Sequence, residues 1–164
     1  MIKEATYLSD LGGPANEDML IERKRMPVAS GAFRWTEAYS VNIALLDQQH
    51  QKLFDTVNEL IRALRTGEGN SALDPVPSRL VDYTRVHFAA AEALMEKHDF
   101  PGLSTHRTQH EMFRRKITAF LEEHKAAKPG VPVSLMFFVQ AWLKQHVQKT
   151  DKQYTAFLNA RGER

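Results

Sequence analysis

Five histidines fall on the apolar stripes of four amphipathic segments, and this constrains the chain more than any other feature of it. His50 sits among Leu46, Leu53, Phe54, Val57, Leu60, Ile61 and Leu64, spaced by threes and fours. His87 shares a second stripe with Leu80, Tyr83, Leu94 and Met95. His106 and His110 share a third with Phe113, Ile117, Phe120 and Leu121. His146 lies on a fourth with Leu135, Phe138, Val139, Trp142, Tyr154 and Phe157. A lone histidine on such a stripe is most often a satisfied core residue. Five together are another matter, because a buried imidazole with an unpaired nitrogen costs about 1–3 kcal/mol. The four stripes offer few Ser, Thr, Asn or Gln residues to pair them. A metal centre with neutral imidazole ligands satisfies all five at once.

The segments carrying these stripes read as helices over about 42–66, 78–98, 104–125 and 132–158. Ser40 or Asn42 can cap the first, their side-chain oxygens accepting free first-turn amides. Gly67 and Gly69 end it. Pro75 and Pro77 precede the second, D-F-P-G at 99–102 makes a turn, and K-P-G-V-P at 128–132 breaks the chain again. Strand-like alternation is absent. Four helices of about twenty residues with short connections predict an all-α fold, an up-down-up-down antiparallel four-helix bundle. The bundle is expected over residues 35–160. Residues 1–34 carry little periodicity and are expected to form an N-terminal extension and arm, with a short helix around Glu17 to Arg25. Trp35 and Tyr39 are expected to pack across a bundle end.

A carboxylate should accompany the histidines, because imidazoles alone leave a pair of cations uncompensated. Asp151 stands five residues after His146, about 140° further round an ideal helix. The two converge only through side-chain reach or a local widening such as a π-bulge. His98 and His124 fall at helix C-termini, where a cationic ring suits the dipole, and are assigned no ligand role.

Composition removes several alternatives. A formal net charge of +2 gives no basic face for nucleic acid. The absence of cysteine excludes thiolate sites and disulfides. The most apolar segment, Val131 to Leu143, is too short and interrupted to span a bilayer. The start of the chain lacks the apolar run of a secretory signal, so a cytoplasmic protein is expected. A histidine phosphotransfer module would need one exposed histidine, which five buried ones oppose.

With these motifs in place the chain resembles the hemerythrin-like family, in particular the bacteriohemerythrins. L-D-Q-Q-H-Q-K-L-F at 46–54 and H-F-A-A-A-E-A-L-M at 87–95 match its first and second helices. F-P-G-L-S-T-H-R-T-Q-H at 100–110 and W-L-K-Q-H-V-Q-K-T-D at 142–151 match its third and fourth. The resemblance implies a non-haem centre of two iron ions with an oxo or hydroxo bridge. It assigns His106, His110 and His146 to one iron, His50 and His87 to the other, and Asp151 to both. Dioxygen would bind at the more open, two-histidine iron, making the protein a carrier, store or oxygen sensor. As a sensor, its output surface would fall in residues 1–34. A monomer is expected, with dioxygen, peroxide or small anions as partners.

One position departs from the pattern. The family carries a second bridging glutamate four residues after the second-helix histidine, where this chain has Ala91. Glu92 lies 100° further round and is expected to face solvent or a neighbouring helix edge. Losing that carboxylate opens adjacent positions at both metals, which raises peroxidase- or oxidase-like chemistry as the alternative function.

Overall fold

The computed structural model describes residues 32–67 and 74–164. The expected helix around Glu17 to Arg25, most of the extension and Gly69 lie outside them. The bundle is built from α1 (Ala44–Thr66), α2 (Pro75–Lys97), α3 (Leu103–Lys125) and a fourth rod. That rod runs as α4 (Val131–Gln145), a five-residue π-helical turn (His146–Thr150) and α5 (Asp151–Asn159). Each helix packs on the next in sequence, and the fourth rod closes the ring against α1. The result is the four-helix bundle expected from the stripes, with no strand among the described residues.

The start of α1 is held differently from the expectation. Ile43 is the N-cap residue, and no side-chain cap bond is made there. Instead Asp47, in the first turn, reaches back to the arm. It accepts from the Ser40 hydroxyl at 2.6 Å and from the Val41 amide at 2.8 Å. Ser40 therefore acts as a donor to the helix, and Asn42 takes a left-handed φ of 52° at the corner. A carboxylate near a helix N-terminus gains from the dipole as well. At the other end of α1, Gly67 adopts φ 66° and returns its amide to the Ala63 carbonyl. Pro75 and Pro77 lie within the opening turn of α2 rather than ahead of it.

The arm preceding α1 packs on the same bundle. Phe33 stacks on Phe54 at 4.5 Å, and its backbone exchanges two hydrogen bonds with the Asn58 side chain. Trp35 and Tyr39 close on Phe54 at 5.5 and 4.7 Å, and Trp35 also covers His50 at 6.4 Å. The arm is thus a lid over the His50 side of the interior. Within the bundle the apolar stripes meet as expected, with Leu46, Leu53, Leu60, Leu80, Ile117, Leu135 and Val139 excluded from solvent. Burying each such side chain contributes about 1.5–3 kcal/mol.

Candidate metal centre

The π-helical turn positions the centre. Its defining bond runs from the Asp151 amide to the His146 carbonyl, five residues back. In an ideal α-helix the two side chains would diverge. Here the His146 Nε2 atom lies 3.1 Å from Asp151 Oδ1. The widening anticipated from the five-residue spacing is the one the backbone makes.

Asp151 has no solvent exposure and is the hub. His106 Nε2 approaches Oδ1 at 3.3 Å, and His50 Nε2 approaches Oδ2 at 3.2 Å. His87 Nε2 lies 3.1 Å from His50 Nε2, and His110 Nε2 lies 3.1 Å from His146 Nε2. All five imidazoles are at most 2% exposed. The six residues form two groups with converging donor atoms, His106–His110–His146 and His50–His87–Asp151. Four helical rods thus deliver five rings and one carboxylate to one place. His98 and His124 stay away, paired instead with Glu163 at 2.7 Å and Asp74 at 2.9 Å.

These groups fit metal ions better than they fit each other. Both Asp151 oxygens and His106 Nε2 are buried without a hydrogen bond, despite contacts near 3.2 Å. Lone pairs aimed at a common point give short distances without donor geometry. Left so, the orphaned atoms would each cost about 1–3 kcal/mol, which a shared cation removes.

Two rings are oriented from behind. His87 Nδ1 donates to Gln49 Oε1 at 2.9 Å, and His110 Nδ1 donates to Glu92 Oε1 at 2.8 Å. Each bond fixes the tautomer that leaves Nε2 free as a ligand. Glu92 does face a neighbouring helix edge, where Arg107 also holds it at 3.2 Å. Helical periodicity gave no sign that this edge carries His110. It gave none for Gln49 either, although Gln49 immediately precedes His50 and sits beside its stripe. Glu92→Ala should lower affinity for iron(II) or cobalt(II) by roughly 10–100-fold. Competition against a chelator measures this.

Aromatic rings close the site. Phe88 stacks on His110 at 3.7 Å, and Trp142 stacks on His146 at 4.2 Å. Ala91 is 1% exposed and lies in an apolar cluster with Leu46, Met95 and Tyr154.

Burial holds His87 and His110 well below the usual imidazole range, and the neighbouring histidines push the same way. Asp151 stays well below the usual carboxylate range. Burial opposes its ionisation, but its electrostatic interaction with the surrounding imidazoles, His146 foremost, outweighs it. For the metal-free protein this fixes a sign. The unfolded chain takes protons on His87 and His110 near pH 6.5, whereas the folded chain does not, so stability is lost as pH falls below that value. The expected loss approaches about 1.4 kcal/mol per pH unit for each histidine. Urea midpoints at pH 7.5 and 5.5 measure it; equal midpoints contradict it.

An antiparallel bundle that gathers histidines and a carboxylate from all its helices is, by class, one that houses metal ions in its core. The chain matches the hemerythrin HHE cation binding domain over residues 41–158 and belongs to that family. It is 30% identical to a bacteriohemerythrin of Methylococcus capsulatus, across 77% of this chain and 96% of that protein. It is also 30% identical to a hemerythrin of Sipunculus nudus, across 77% of this chain and 93% of that protein. The crystal structure of a wild-type hemerythrin superimposes with a TM-score of 0.72 at 29% identity, covering 78% of this chain and 98% of that one.

Proposed function

We propose that this chain holds a non-haem di-iron centre and binds dioxygen there, as a carrier, store or sensor. The observation carrying this reading is the convergence of three imidazole Nε2 atoms on the two oxygens of Asp151 without hydrogen-bond geometry. His106, His110 and His146 would hold one iron, His50 and His87 the other, and Asp151 would reach both. Neutral imidazoles with carboxylate oxygen suit iron. Iron, when bound, supplies the electrons and the coordination position for dioxygen. The protein supplies the rest. Gln49 and Glu92 hold two rings in register, while Phe88, Trp142, Leu46 and Phe54 exclude bulk water.

The family names of the relatives, bacteriohemerythrin and hemerythrin, support the same reading. No described helix is long and apolar enough to cross a membrane. A cytoplasmic monomer stays part of the proposal, to be checked by fractionation and light scattering. The extension expected to carry a sensor's output lies largely outside the described residues.

The deciding experiment loads the protein with iron(II) without oxygen, counts iron per chain, and records absorption through cycles of oxygen and argon. Two irons and a reversible spectral change are expected. No iron uptake, or a spectrum indifferent to oxygen, would overturn the reading.

A further inference from the structure

Two buried hydroxyls have no task in the function above. Tyr83 and Tyr154 each bring a phenol oxygen into the interior, and neither finds a hydrogen-bond partner. Their surroundings differ. Tyr154 belongs to the apolar cluster with Ala91 and Met95, its ring 5.4 Å from His106.

Tyr83 belongs to the other end. It lies one helical turn before His87 on the same face of α2, and its ring stacks on the imidazole at 5.1 Å and 15°. Near-parallel rings four residues apart project the same way from the helix, so the phenol runs alongside the imidazole. Both Asp151 oxygens are unpaired as well, and no hydrogen bond joins them to the Tyr83 hydroxyl. A phenylalanine would fill this position without leaving a buried O–H unpaired, which is unfavourable. A tyrosine is explained if its acceptor arrives with a guest.

Donor counting says where that guest sits. The group around His106, His110 and His146 offers three imidazoles plus Asp151 Oδ1, whereas His50 and His87 offer two imidazoles plus Oδ2. The end beside Tyr83 has the more open coordination sphere. We propose that the Tyr83 hydroxyl donates a hydrogen bond to the small exogenous ligand held at the His50–His87–Asp151 end. Tyr83 thereby favours ligands that present an acceptor atom there, dioxygen and small anions such as azide. This role rests on the di-iron reading.

Tyr83→Phe tests it with azide as the probe. In the iron-loaded, oxidised protein the variant should keep two irons per chain and bind azide roughly tenfold more weakly. In the metal-free protein it should melt at or above the wild-type temperature, because an unpaired hydroxyl is removed. Full iron loading with unchanged azide affinity would overturn the Tyr83 role and leave the di-iron function standing. A metal-free variant melting below wild type would also overturn it, by showing that the hydroxyl supports the fold. A wild-type protein that takes up no iron would sink the function itself, and this role with it.

Discussion

Asp151→Ala should abolish the paired metal site. No other described acidic side chain reaches both histidine groups, and none in the centre brings a negative charge into contact with the Nε2 atoms. Wild-type protein should melt higher as iron(II) is added, by the free energy of binding to the folded state alone. That is about 4 kcal/mol when free iron exceeds its dissociation constant a thousandfold. The alanine variant should show little such rise and should retain fewer than two irons after desalting. A variant that still holds two irons would contradict the bridging role of Asp151.

Ala91→Glu should have opposite effects with and without metal. Ala91 is 1% exposed and surrounded by Leu46, Met95, Tyr154 and other apolar side chains. A carboxylate placed there without a cation would be buried among apolar groups, costing several kcal/mol or forcing the acid to stay protonated. With iron present, the same carboxylate lies one turn beyond His87 on the ligand face and adds a donor. Metal-free Ala91→Glu should therefore melt well below wild type. The iron-loaded variant should release iron to a chelator more slowly than wild type. If the variant is destabilised equally in both forms, its glutamate does not reach the metals, and the opening of the centre expected from Ala91 is wrong.

The parts of this protein legible in the sequence are those set by a single helix. Each stripe gave its own buried face, and the five-residue step from His146 to Asp151 already required a widened turn. Features that depend on two elements meeting were harder to read. Ser40 and Asn42 look like caps in isolation, but the arm folds back so that Asp47 collects the Ser40 hydroxyl and the Val41 amide instead. Glu92 and Gln49 sit at stripe edges, where periodicity marks a boundary and says nothing of the neighbour across it. Only the packed α2–α3 and α1–α2 edges turn them into partners of His110 and His87. Tyr83 and Tyr154 count as apolar rings in any pattern, and their orphaned hydroxyls emerge only from the packing.

The π-helical turn has a consequence beyond aligning His146 with Asp151. It inserts a phase shift into the fourth rod, and everything after it inherits that phase. Tyr154 and Leu158, wholly buried on α5, follow Asp151 by three and seven residues and share its face. Tightening the turn to α-helical pitch with every residue kept would therefore rotate the carboxylate out of the site and turn the terminal apolar face away from the core together, whereas deleting one residue between 146 and 151 would leave the carboxylate four residues after His146, on its face. The ligand cannot drift in register without unseating the end of the bundle. Mutation can remove Asp151, but sliding it elsewhere is barred by the same packing that holds the C-terminus in place.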